Sequence, residues 1–139
     1  MTETGDSDGA AWGAAEVRDA VEAYWAAADA RDWSAFATTL ADEFVYDLPQ
    51  SRERILGKER YVQFNREYPG EWQVRIERIV ADGEARQAAV RTLVTVGPEE
   101  IPAVHFFTLD TEGRIAEVTD FWPEPYEPPA GREHLTERY

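Results

Sequence analysis

Two side chains of this sequence, Asp120 and His105, have the type and setting to move a proton. Asp120 shares strand parity with Val118 and Trp122, so a carboxylate stands on an otherwise apolar face. A carboxylic acid held among aromatic rings is suited to take a proton at carbon or oxygen and return it. His105 lies in the run Val104-His105-Phe106-Phe107, and the turn that follows is centred near Thr111 and Glu112. That centre puts His105 opposite residue 119 or residue 120, depending on loop register. Directly opposed residues have Cβ atoms about 5 Å apart. A His–Asp pair at that spacing fixes a tautomer and can shuttle a proton, and a one-residue slip turns the imidazole away. The competing reading is structural: a histidine satisfied within an apolar strand, and an aspartate bonded to backbone or arginine near a strand end.

The chain carries five Trp, six Tyr and six Phe. Tyr24, Trp33, Tyr46, Phe64, Trp72, Phe107 and Trp122 fall at inward-facing positions of their segments and are the candidate substrate-binding residues. Aromatic linings suit flat apolar ligands. Tyr24 and Tyr46 also offer phenol donors to an electrophilic site. The same residues would equally serve as plain core. Arg52, Glu53 and Arg54 form a charged stretch that reads as a solvated turn, or alternatively as a gate near a pocket mouth. There is no glycine-rich nucleotide loop, nucleophile elbow or His-Glu-x-x-His motif. With no Cys and two His, thiolate chemistry is excluded and a dedicated metal site is not expected. No cofactor is expected either.

Twenty-eight Asp and Glu stand against fourteen Lys and Arg, a net charge of −14 over 139 residues. That balance opposes nucleic-acid phosphates and anionic lipid surfaces. No apolar run approaches the roughly 20 residues of a membrane span. The polar, acidic start is not a secretory signal, which makes the cytoplasm the default location.

The elements that must position Asp120 and His105 follow from periodicity. Val17, Ala20, Val21, Tyr24, Trp25 and Ala28 trace the stripe of an amphipathic helix over residues 14–30. Asp32 caps a short second helix that turns Trp33, Phe36 and Leu40 inward. Residues 43–48 alternate as a strand ended by Pro49. Gly57 opens a third helix, and Pro69-Gly70 stops it. Alternation then runs from Trp72, slips at Glu77-Arg78 in the manner of a β-bulge, and turns at Asp82-Gly83. Strands over 85–96, 101–109 and 115–122 complete an antiparallel meander. Three helices segregated from such a sheet make an α+β domain. Residues 1–12 read as a disordered acidic tail, 13–124 as the domain, and 125–139 as a proline-rich C-terminal tail.

This order of elements resembles the nuclear-transport-factor-2-like superfamily. The run Gly113-Arg114-Ile115-Ala116-Glu117-Val118-Thr119-Asp120-Phe121-Trp122 is similar to the last strand of its SnoaL-like polyketide cyclase branch. Pro49-Gln50-Ser51-Arg52-Glu53-Arg54-Ile55-Leu56-Gly57 is similar to the segment before the third helix in many bacterial members. The resemblance implies a cone-shaped curved sheet enclosing an apolar pocket, and a homodimer formed through the sheet. It also implies Asp120 as general acid/base with His105 nearby, in cofactor-free cyclisation or isomerisation of an apolar, polyketide-like substrate. Two sister branches fit less well. Ketosteroid-isomerase-like members carry a carboxylate directly before the proline after the first strand, where this chain has Leu48. Limonene-epoxide-hydrolase-like members need Arg-x-Asp on one strand, where this chain has Arg91-Thr92-Leu93. A ligand-binding module without turnover and a dimeric scaffold with a filled pocket are the alternatives to an enzyme.

Overall fold

The computed structural model describes residues 13–139, so the tail expected over residues 1–12 lies outside the described residues. The helices are α1 (Ala14–Asp29), α2 (Trp33–Thr38) and α3 (Lys58–Arg66). The strands are β1 (Leu40–Leu48), β2 (Glu53–Leu56), β3 (Trp72–Asp82), β4 (Gln87–Val96), β5 (Glu99–Leu109) and β6 (Ile115–Phe121). None of these helices is long and apolar enough to cross a membrane.

Local chemistry sets the helix boundaries. The Glu16 carboxylate accepts the Gly13 N–H at 2.8 Å at the start of α1, where an acid also complements the helix dipole. Asp32 caps α2 by accepting the Ala35 N–H at 3.1 Å. Gly57 precedes α3 with φ +94°, a conformation that other L-residues rarely adopt.

All six strands join one sheet in the order β2-β1-β6-β5-β4-β3. The sheet departs from the all-antiparallel expectation at one place. β1 and β6 run parallel, with Tyr46 opposite Val118 and Asp47 opposite Thr119. The last strand of the meander returns beside the first, and the long connection through β2 and α3 supplies the crossover that parallel neighbours require. The charged stretch at Arg52 to Arg54 leads into β2, which pairs antiparallel with β1.

Register shifts interrupt the sheet at three places, one of them between Leu40 and Val45 where β1 pairs with β6. On β3 the register passes from Ile76 opposite Thr92 to Arg78 opposite Arg91, leaving Glu77 extra, as the sequence slip predicts. On β6 it passes from Ile115 opposite Leu109 to Glu117 opposite Thr108, leaving Ala116 extra. Bulges increase local twist and let a sheet curl. α1 packs on β3 and β4, and α3 packs on β1, β2 and α2. The core between them is apolar, with Val17, Val21, Phe36, Leu40, Phe44, Phe107 and Ile115 buried.

Gly83 follows the Asp82 turn, where α1 begins against the β3–β4 hairpin. A Cβ at Gly83 would lie 2.4 Å from the Gly13 backbone. Gly83→Ala is therefore expected to cost about 1–3 kcal/mol through forced separation and to lower Tm by roughly 4 °C per kcal/mol. A thermal melt superimposable on that of the parent chain would show that this contact is not made.

Candidate functional site

Asp120 is the centre of a buried polar chain. Asp120 and Val118 face inward from β6, His105 and Phe107 from β5, Thr92 and Val90 from β4, and Tyr46 and Phe44 from β1. His105 pairs with Asp120 across the ladder. The extra residue Ala116 selects this register over Thr119, because an unbulged β6 would carry the Leu109–Ile115 pairing on to His105–Thr119. The two side chains meet at 2.6 Å between His105 Nδ1 and Asp120 Oδ1. The Tyr46 hydroxyl donates to Asp120 Oδ2 at 2.5 Å. Thr92 Oγ1 lies 2.7 Å from His105 Nε2. His105 and Thr92 are fully buried, and Asp120 is 3% exposed.

With Asp120 ionised and the His105 ring neutral, Asp120 accepts from Tyr46 and from the Nδ1–H of His105, and Nε2 accepts from the Thr92 hydroxyl. Each carboxylate oxygen has one donor and keeps a second lone pair. Thr92→Val preserves shape but removes the donor to Nε2. It is expected to cost about 1 kcal/mol, read as a lower urea midpoint. An unchanged midpoint would mean that the hydroxyl does not hold the ring.

A cavity of about 980 Å³ opens over this chain of bonds. Asp120 lines it, together with Tyr24, Tyr46, Phe64, Trp72 and Trp122 from the candidate set. His105 stands behind the carboxylate and is not part of the lining, which makes it a positioning group rather than a surface a ligand touches. Trp33 and Phe107 depart from expectation. Trp33 packs edge-on against Phe36 at 5.5 Å on the short helix, and Phe107 packs edge-on against Tyr24 at 5.0 Å beneath α1. Phe107 fills a core layer behind the wall, and the half-buried Trp33 packs against that core from the short helix.

The cavity also has wall residues outside the candidate set. Trp25, Tyr61 and Tyr68 line it. Trp25 and Tyr61 lie on the same helical stripes that placed Tyr24 and Phe64, so the periodicity contained them. Gln50 lines the mouth, and its side-chain carbonyl accepts the Trp122 backbone N–H, tying the segment after β1 to the end of β6. Pro123, Glu124 and Pro125 of the C-terminal segment close part of the rim.

Tyr24 and Tyr61 share a hydrogen bond between their hydroxyls. Two hydroxyls carry two protons and their mutual bond uses one, so one O–H remains for a further acceptor. Burial raises the phenols of Tyr24, Tyr46 and Tyr61 above their usual range, and the nearby Asp120 carboxylate adds to the rise. All three stay protonated donors at neutral pH.

The positions used by the sister branches point away from the cavity or lack the group. Leu48 lines the cavity where a carboxylate would stand. Asp47 alternates to the other face and pairs with Arg54 at 2.6 Å. Arg91 pairs with Glu77 at 3.5 Å beside the β3 bulge. Among the described residues, no three His, Asp or Glu side chains gather as a metal-binding group.

The profile of the SnoaL-like domain matches residues 21–118. A crystal structure from Kribbella flavida that bears the name of a ketosteroid isomerase is 44% identical, with a TM-score of 0.86 and 91% of each chain covered. A structure from M. tuberculosis named as an epoxide hydrolase similar to LEH is 28% identical, with a TM-score of 0.66, covering 79% of this chain and 84% of its own. A structure from Xanthomonas campestris named as a polyketide cyclase is 22% identical, with a TM-score of 0.66 and coverage of 79% and 92%, and it shows the fold alone. No curated protein matches the chain.

Proposed function

Because the chain belongs to the SnoaL-like domain family, we propose that it is a cofactor-free acid/base enzyme that isomerises or cyclises a small, largely apolar substrate, with Asp120 as the catalytic base and acid. The names borne by two of its structural relatives, isomerase and epoxide hydrolase, support an enzyme of this broad kind. One observation carries the reading: a carboxylate at the wall of an aromatic cavity, held from behind by His105 and from the side by Tyr46.

The steps follow from that geometry. Ionised Asp120 takes a proton from the carbon beside a substrate carbonyl. The C–H electron pair moves into the carbon skeleton, and negative charge develops on the carbonyl oxygen. The uncommitted O–H of the Tyr24–Tyr61 pair donates to that oxygen, a stabilisation that strengthens as the charge grows. Asp120 then returns the proton at another atom, which leaves an isomer or a closed ring with no net gain or loss of electrons. His105 and Thr92 keep the carboxylate oriented throughout.

The test does not require the natural substrate. A cyclic aryl ketone such as tetralone is incubated with the protein in D₂O, and mass spectrometry follows exchange of the hydrogens beside the carbonyl. Protein-dependent exchange above the buffer rate is expected. A rate equal to buffer for every cyclic ketone that binds in the cavity would overturn the acid/base assignment.

A further inference from the structure

The turn that ends α1 carries an arginine where the backbone favours glycine. The Asp32 N–H donates to the Ala27 carbonyl at 2.9 Å and the Arg31 N–H to the Ala28 carbonyl at 3.1 Å. These are the paired bonds with which a helix closes on a left-handed residue. That residue is Arg31, with φ +60°. Glycine adopts such a φ at no steric cost, and a larger side chain there is uncommon. A residue kept against the preference of its backbone points to a use for its side chain.

The side chain crosses to the start of β3, which forms one edge of the sheet. The guanidinium carbon lies 3.6 Å from the centroid of the Trp72 ring, so the cation covers one face of the indole. Nη2 donates to the Trp72 carbonyl. Nη1 donates to the carbonyls of Ala28 and Asp29 at 3.3 and 3.1 Å, at the negative end of the helix dipole. Beside it the Asp29 carboxylate accepts the Val74 N–H at 2.8 Å, a donor that an edge strand leaves without a ladder partner. Trp72 and Val74 both line the cavity, and Arg31 does not. The indole therefore stands as a wall between the guanidinium and the chamber. A planar cation over an aromatic face is held by the ring quadrupole, more strongly where water is excluded. α1 contributes Tyr24, Trp25 and Ala28 to the same lining. The clamp thus fixes the β3 wall relative to the helix that carries the Tyr24 hydroxyl.

Resting on the reading that this cavity is the substrate site, we propose that Arg31 is a positioning residue. Its guanidinium holds the Trp72 indole as a fixed wall against which a flat ligand packs, without itself meeting the ligand.

Arg31→Gly separates this role from a structural one, because glycine relieves the left-handed turn while it removes the clamp. Arg31→Lys keeps the charge but loses the planar fork. Tetralone affinity is measured by calorimetry. The Trp72 indole N–H of ¹⁵N-labelled protein, assigned from Trp72→Phe, is followed by relaxation. In the parent the indole is expected to be as rigid as the backbone, with an order parameter of about 0.85. In Arg31→Gly that value should fall below about 0.6, and tetralone should bind about tenfold more weakly, while Tm stays close to that of the parent. Arg31→Lys should recover neither the rigidity nor the affinity. Parent affinity in Arg31→Gly, full recovery in Arg31→Lys, an indole already mobile in the parent, or a parent that does not bind tetralone would each overturn the proposal. The last two are read on the unmodified protein, so they stand even if a variant folds poorly. Positioning and turnover fail separately, because neither readout involves deuterium exchange. An Arg31 effect without exchange sinks only the acid/base reading, and exchange without an Arg31 effect sinks only this one.

Discussion

Asp120→Asn is expected to reduce protein-dependent deuterium exchange by about 10²–10⁴, the span typical of a lost general acid/base, while Tm and probe affinity stay close to those of the parent. The expectation comes from counting bonds. The asparagine carbonyl still accepts the Nδ1–H of His105. Its amide nitrogen faces the Tyr46 hydroxyl, which turns to accept where it had donated. Each of these buried groups keeps at least one partner; the Tyr46 O–H proton loses its carboxylate acceptor and turns toward the cavity, and the ability of residue 120 to take a proton is lost. Asp120→Ala makes the contrast. It strands the His105 N–H and the Tyr46 hydroxyl, and each buried unpaired group costs about 1–3 kcal/mol. Loss of exchange in both variants with loss of stability in the alanine variant alone is the pattern that separates chemistry from scaffolding. Exchange at the parent rate in Asp120→Asn would remove Asp120 from the mechanism.

The second large effect appears at high pH. Tyr24, Tyr46 and Tyr61 hold their protons in the folded state beyond the usual phenol range, chiefly through burial; the Asp120 carboxylate adds to the rise in all three, and the Tyr61 phenol adds to it in Tyr24 and Tyr46. In the unfolded chain a phenol ionises near pH 10. Above that pH the unfolded state binds fewer protons than the folded one, so stability falls as pH rises, by about 1.4 kcal/mol per pH unit for each phenol. Three phenols together give a slope of roughly 4 kcal/mol per unit, which exhausts a typical folding free energy of about 5–15 kcal/mol within a few units. The three should therefore ionise in one step with unfolding, seen as coincident changes in phenolate absorbance and circular dichroism. Their gradual ionisation in a chain whose circular dichroism is unchanged would show that the three hydroxyls are not sealed in.

Much of the site was legible because alternation and stripe positions are local. The parity of Val118, Asp120 and Trp122 placed the carboxylate on the inner face, and the slip at Glu77 announced the first bulge. Periodicity leaves the partner of His105 open between residues 119 and 120, because the choice rests on the β6 bulge in a short strand. The sequence signal is small: Ile115 and Val118 are both apolar yet stand three apart, and the structure buries both, which simple alternation forbids. Trp33 and Phe107 show the other limit. Inward-facing is a property of an element, whereas lining a cavity depends on which layer of the interior a side chain reaches. Trp33 meets Phe36, and Phe107 meets Tyr24, before either reaches open space. The parallel β1–β6 pairing had no local signature, since it joins strands separated by most of the chain.

The surplus residue on β6 has a consequence for how such a site diversifies. Ala116 is looped out between the Leu109–Ile115 and Thr108–Glu117 pairings. Removing it straightens the strand without exchanging inner and outer faces beyond that point, so His105 still meets Asp120. Only the local bend is lost, and with it part of the curl that gives the cavity its depth. A single-residue deletion at that place is therefore a lever on the volume and outline of the chamber that leaves its reactive pair aligned.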